Sequence, residues 1–169
     1  LEAASRLYKH TEMTKNVEDL FGDTDLDAIA IATPVSTHYD LAKNALSNGK
    51  HVWIEKPMTE KVEQAEELID IADKKGKILL VDHTFIYTGV VRKMKSLIRS
   101  GQVGDLVYYD STRVNLGLFQ QDVDVIWDLA AHDLSIMDHL IPNKKLTVSA
   151  TGSHFYGDDI VAKSLLTIY

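Results

Sequence analysis

Residues 27–57, DAIAIATPVSTHYDLAKNALSNGKHVWIEKP, decide the fold. Ala28 to Ala32 is apolar at every position instead of alternating, the pattern of a parallel strand covered by helices on both sides, and Thr33-Pro34 ends it. Ser36 or Thr37 can then cap a helix to about Asn48, because Leu41, Ala42, Ala45 and Leu46 share one face and Gly49 supplies the closing turn. His51 to Glu55 follows as a second apolar strand, and Pro57 breaks the chain. A strand, a helix and a parallel strand make one crossover unit of an α/β sheet.

The same rhythm extends to both sides. Before it, Leu1 to about His10 has helical spacing, and Asn16 can cap a short helix through Phe21, with Asp19 as its capping-box partner and Gly22 as its stop. After it, Thr59 offers a cap to a helix that carries Val62, Ala65, Leu68, Ile69 and Ala72 inward and stops at Gly76. Ile78 to about Phe85 reads as a third strand, and a helix from Thr88 to Ser100 follows, with Val91, Met94, Leu97 and Ile98 apolar. The alternation predicts a doubly wound, Rossmann-type parallel sheet over residues 1–103. Beyond Gly104 the pattern changes. Leu106 to Asn115 alternates and is rich in Val, Tyr and Thr, as expected of an antiparallel strand with one wet face. Asp128 to Leu140 reads as a helix, with further strands at Leu146 to Thr151 and Val161 to Tyr169. Residues 104–169 are therefore expected to begin a second, α+β domain with a mostly antiparallel sheet. No start signal precedes Leu1, and the final strand stops without a neighbour, so the chain is expected to be cut short at both ends.

Composition narrows the function classes. The chain has 169 residues, 45% of them hydrophobic and 25% charged, which is ordinary for a globular protein. A net charge of −7 argues against nucleic acid as a partner, because the nearest basic cluster, Arg92, Lys93, Lys95 and Arg99, reads as one solvated helix face. There is no apolar run of bilayer length and no signal peptide, so no membrane association is expected and a cytoplasmic location is the default. The sequence contains no cysteine, which removes disulfides, thiolate chemistry and cysteine-held metals and fits a reducing compartment.

In an open parallel sheet, ligands bind at the carboxyl ends of the strands, which directs attention to Thr33-Pro34, Glu55-Lys56-Pro57 and Asp82-His83. A small polar residue followed by proline lets backbone approach a cofactor, although the pair can equally do no more than end a strand. Lys56 at the mouth of the sheet can act as acid or base with Glu55 orienting it, or the two can form an ordinary surface pair. Asp128 and His132 stand four apart on one helix face, where a carboxylate can hold an imidazole and favour its protonated form. The alternative makes Asp128 a helix cap and His132 a satisfied histidine. His132, Asp133, Asp138 and His139 lack the compact spacing of a metal site, and no metal is expected.

Taken together, Ala32-Thr33-Pro34 with His38, Gly49-Lys50-His51-Val52 leading into Glu55-Lys56-Pro57, and Asp128 with His132 resemble the Gfo/Idh/MocA oxidoreductases over nearly the whole chain. The resemblance implies NAD or NADP lying between a nucleotide-binding domain and a larger antiparallel sheet. Hydride would pass between the cofactor and a secondary hydroxyl of a sugar or nucleotide sugar. It assigns Thr33, Pro34, His38, Glu55, Lys56, Pro57 and His83 to the cofactor. Lys56, Asp128 and His132 would be catalytic, and would contact substrate together with Arg113, Asn115 and Trp127. The stretch from Arg113 to Gly117, running on to Trp127-Asp128, is similar to the subgroup that oxidises C3 of UDP-linked N-acetyl sugars or their uronates. The family's Gly-x-Gly-x-x-Gly turn and ribose selector do not occur in these residues, so NAD and NADP are not distinguished, and the isolated chain is expected to be inactive. A homo-oligomer built through the antiparallel sheet is the expected assembly. A non-catalytic nucleotide or sugar binder with a regulatory or scaffolding role is the alternative function, and a reaction that recycles its cofactor is a third.

Overall fold

The computed structural model describes residues 2–113, 126–141, 147–156 and 160–168. Two short helices, α1 (Glu2–Leu7) and α2 (Glu18–Gly22), precede a sheet of three parallel strands, β1 (Ala28–Ile31), β2 (His51–Glu55) and β3 (Leu79–Asp82). The strands lie in the order β1-β2-β3, paired from Ala28 with His51 to Ile31 with Ile54, and from Val52 with Leu79 to Glu55 with Asp82. Helix α3 (His38–Ser47) joins the first two strands and α4 (Val62–Lys75) joins the second and third. This is the Rossmann-like α/β arrangement expected from the alternation of elements.

Both helices lie on one face of the sheet, where α3 packs against α4. Parallel strands laid down in one direction through right-handed crossovers put their helices on the same side. The core beneath them is Phe21, Ile31, Ala42, Ala45, Leu46, Val52, Ile54, Leu68 and Ala72. Leu46, Ile54 and Leu68 have no exposed surface; such burial is worth about 1.5–3 kcal/mol for each side chain. The opposite face is open among the described residues: Ala28 and Ala30 are exposed, Trp53 is 50% exposed and Leu80 is 42% exposed. The expectation of helices on both faces is thus met on one only, because a strand that is apolar throughout does not say which of its faces a neighbour covers.

Local signals were met unevenly. Gly76 closes α4 at φ 63°, a left-handed conformation that suits glycine, and Lys77 N donates to Ala72 O at 2.9 Å in the turn beyond it. Thr88 caps α5 (Gly89–Arg99) by accepting from Val91 N. Elsewhere the expected caps turn inward: Thr37 Oγ1 donates to Pro34 O at 2.7 Å, and Thr59 Oγ1 to Lys61 O at 2.8 Å, so neither bonds a helix amide. Asn16 lies one residue before the cap position, where its amide donates to Asp19 Oδ1 at 2.8 Å.

The third strand ends at Asp82, and residues Thr84–Tyr87 form a 3-10 turn. Residues 106–113, read as an antiparallel strand, have no strand partner among the described residues; their polar side chains are spent on the following helix instead. That helix, α6 (Ala131–Leu140), is preceded by a π turn at Ile126–Ala130 and packs against α5 and the 84–87 turn. An antiparallel ribbon of β4 (Thr147–Tyr156) and β5 (Ile160–Ile168) follows. Among the described residues no helix is long and apolar enough to cross a membrane.

Candidate active site at the strand ends

The parallel register brings the ends of all three strands to one edge. Thr33-Pro34, Glu55-Lys56-Pro57 and Asp82-His83 project from that edge, and the π turn before α6 meets them there. Trp127 Nε1 donates to the carbonyl of buried Thr59 at 2.7 Å, tying the turn to the loop after β2. The indole of Trp127, expected to meet substrate, is in this way a joint between two segments.

Lys56 is fixed by Asp128. Its Nζ donates to Asp128 Oδ1 at 2.7 Å and to the Asp128 carbonyl at 2.9 Å, with both side chains about four-fifths buried. Glu55 takes a different part from the one the sequence suggested: its carboxylate accepts from the Lys56 backbone N–H at 3.2 Å. Neighbouring residues at the end of a strand point to opposite faces, so Glu55 does not orient the amine.

Asp128 is therefore engaged with Lys56, and the expected pairing with His132 does not form at Nδ1. His132 Nδ1 is buried without a hydrogen-bond partner among the described residues. The wider π turn accounts for this, since it changes the angular offset that an α-helix gives to residues four apart. Burial holds His132 below its ordinary value near 6.5, the positive charges of Lys56 and Arg113 push it further down, and Asp133 opposes them. Asp128 thus does not favour the protonated imidazole as expected. His83 is similar: its Nδ1 is also buried without a partner among the described residues, and burial lowers its pKa against the opposing charge of Asp82. Both rings are neutral near pH 7. A groove of about 430 Å³ between the 84–87 turn and α6 is lined by His83, Ile86, Ala131, Leu134, Ser135, Asp138 and His139.

Arg113 reaches the same region by a route the sequence did not reveal. Its Nε and Nη2 donate to Asp133 Oδ2 and Oδ1 at 3.0 and 3.2 Å, and Ser111 Oγ donates to Asp133 Oδ1 at 2.8 Å. Burial would raise the Asp133 carboxyl, but these bonds hold it below the usual carboxylate range. The guanidinium, whose own pKa the Asp133 bond raises, lies 5.3 Å from the Phe85 ring centre. Phe85 in turn meets His132 edge to face at 4.7 Å. Asp133 had been weighed only as a metal ligand, and Ser111 and Phe85 not at all; no spacing rule links positions twenty or more residues apart. Among the described residues no group of three or more His, Asp or Glu side chains is placed to hold a metal.

Thr33 and Pro34 are exposed at the end of β1, where backbone can approach a ligand. His38, assigned to the same surface, is 1% exposed and lies beneath it. Asn115 lies outside the described residues. The Thr33-Pro34 pair is thus the exposed part of this edge, whereas the Nδ1 atoms of His83 and His132 are buried behind it without a partner among the described residues.

The comparisons with known proteins agree with the fold. The family described as "Oxidoreductase family, NAD-binding Rossmann fold" matches residues 2–83. The Escherichia coli oxidoreductase YdgJ is 40% identical over 92 residues, 54% of this chain and 27% of that protein. The UDP-N-acetylglucosamine 3-dehydrogenase of Acidithiobacillus ferrooxidans is 34% identical over 131 residues, 76% of this chain and 40% of that protein. The solved structure of the oxidoreductase yvaA from Bacillus subtilis superposes with a TM-score of 0.82 at 27% identity, covering 97% of this chain and 49% of that one. The chain thus spans about a quarter to two fifths of the length of these curated relatives. With its parallel strand-helix-strand units, the matched stretch of residues 2–83 belongs to the Gfo/Idh/MocA oxidoreductases, an NAD-binding Rossmann family.

Proposed function

We propose that the whole protein is an NAD- or NADP-dependent oxidoreductase that interconverts a secondary hydroxyl of a sugar or nucleotide sugar with the corresponding carbonyl. The observation that carries this reading is the Lys56 amine, held by Asp128 at the strand ends beside a buried His132 whose Nδ1 has no partner among the described residues. A bound nicotinamide supplies the two-electron chemistry. Thr33, Pro34, Pro57 and His83 would hold its end of the cofactor, with Glu55 on the ribose side.

The residues of the chain supply the proton chemistry. A lysine ammonium has three N–H groups, and Asp128 takes two of them through its carbonyl and carboxylate, which leaves one for a substrate oxygen. Neutral His132 is then the acceptor for the hydroxyl proton as the alcohol becomes a carbonyl. The fixed positive charge of Lys56 stabilises the oxygen as it gains negative character. Arg113, held in place by Asp133, and Asn115 would contact the distal part of the substrate.

Nucleotide sugars are favoured within this class by the relative named as a UDP-N-acetylglucosamine 3-dehydrogenase, which matches over three quarters of the chain. Residues 104–169 would open the substrate domain, and the β4–β5 ribbon would lie in the sheet through which subunits pair. The test follows nicotinamide absorbance when the whole protein meets UDP-N-acetyl sugars, free hexoses and inositols with either cofactor. Net reduction supports a dehydrogenase, transient reduction that returns to baseline indicates cofactor recycling, and no change with any of them overturns the reading in favour of a binder.

A further inference from the structure

The hydrogen-bond ladder between β1 and β2 stops where Ile31 pairs with Ile54. Beyond that point the two chains separate into the loops that carry Thr33-Pro34 and Lys56-Pro57, without backbone pairing between them in the register. One buried side chain bridges the gap. His38 Nε2 lies 2.8 Å from the carbonyl oxygen of Thr33, and Nδ1 lies 2.9 Å from that of Pro57.

Carbonyl oxygens only accept, so each of these bonds requires an N–H from the ring; the neutral ring satisfies one carbonyl at a time and the protonated ring both. The ring cannot wander. His38 is the first residue of α3, whose Ala42, Ala45 and Leu46 have no exposed surface, and its own exposure is 1%. The helix is pinned to the core, and the imidazole carries that fixed position to both loops.

We propose that His38 is a positioning residue that clamps the Thr33 and Pro57 carbonyls and sets the separation between the Thr33-Pro34 loop and the loop bearing Lys56. Its effect on turnover rests on the oxidoreductase reading, whereas the clamp itself does not. The function of the clamp follows from the sensitivity of catalysis to placement, where a shift of about 1 Å costs roughly a hundredfold in rate.

Two measurements test it. In nitrogen-15 spectra of this 169-residue chain, His38 should show a slowly exchanging ring N–H with scalar coupling to the carbonyl carbon of Thr33 or Pro57; a ring that exchanges freely and shows no coupling overturns the clamp. In the whole protein, His38→Ala should lower kcat for each folded molecule by roughly tenfold to a hundredfold. His38→Gln, which retains one donor, should fall between Ala and the parent, and Leu68→Ala should lower the melting temperature without lowering kcat for each folded molecule. Unchanged kcat in His38→Ala overturns the positioning role. If the parent protein itself never reduces a nicotinamide, the functional reading fails and the coupling spectrum alone decides the clamp.

Discussion

Lys56 and Asp128, 72 residues apart in sequence, meet through two hydrogen bonds, from Nζ to Oδ1 at 2.7 Å and to the carbonyl at 2.9 Å. The contact joins the end of the second parallel strand to the turn before α6, and it occupies the carboxylate that the sequence had paired with His132.

Lys56→Ala should therefore lower kcat of the whole protein by about a hundredfold or more, while cofactor affinity stays within about threefold. Asp128→Asn keeps a hydrogen-bonding side chain but loses the charge. It should lower turnover by about tenfold and cost about 1 kcal/mol in urea unfolding, the scale of a largely buried but not fully desolvated ion pair. Full activity in both variants would return the pair to a structural role.

The two neutral imidazoles make stability depend on pH. His83 and His132 titrate below 6.5 in the folded chain, so the unfolded chain binds more protons in the window between the folded values and 6.5. Stability is then lost as pH falls through that window and is unaffected by these groups above it. The urea midpoint of this chain should drop as pH falls below about 6.5, and the double variant His83→Gln, His132→Gln should flatten the drop. An equal drop in the double variant would assign it to other groups.

Lys56 lowers the His132 pKa through its charge, second only to burial. Replacing it by methionine, which keeps the length and removes the charge, should raise the His132 pKa. Proton NMR titration of the ring in the two chains measures this, and an unmoved value would separate the residues electrostatically. His132→Gln, which cannot relay a proton, should reduce turnover at every pH.

The fork from Arg113 to Asp133 should not tolerate lysine. Arg113→Lys retains the charge but supplies one point donor where two parallel N–H groups now meet both oxygens. We expect a loss of about 0.5–1 kcal/mol in urea unfolding, together with weaker substrate binding in the whole protein. Asp133→Ala, which also strands Ser111, should cost more.

The core under α3 and α4 gives the largest expected effect on stability. Leu46→Ala in this chain should cost about 2–5 kcal/mol, because a side chain with no exposed surface leaves a cavity that its neighbours fill only in part. A denaturation midpoint near that of the parent would mean that α3 does not seal the sheet.

The particular misses have physical causes. Thr37 and Thr59 are good capping residues by type, yet in each a nearby carbonyl within three residues captures the hydroxyl, a competition that a propensity cannot anticipate. Leu106 to Asn115 alternates as an exposed strand would, but alternation describes a surface with two faces and not a pairing partner. Across the described part of that stretch, Ser111 and Arg113 turn to Asp133 instead. His38 was recognisable as part of a motif, while its burial was not.

What the sequence determined by itself was local and periodic. Apolar runs bounded by glycine and proline marked β1, β2, α3 and α4, and parallel order then set which residues stand at the strand ends, because chain direction fixes which end is the carboxyl end. Lys56, His83 and Thr33 were therefore legible as residues at the strand ends. Only the tertiary structure decided their partners: Asp128 with Lys56, Asp133 with Arg113, and His38 beneath the loops. Those contacts span between 5 and 72 residues and depend on directions, packing and a π turn that no spacing rule encodes. Hydrogen bonds are satisfied by whichever group the fold brings within about 3 Å, and sequence distance does not enter that choice.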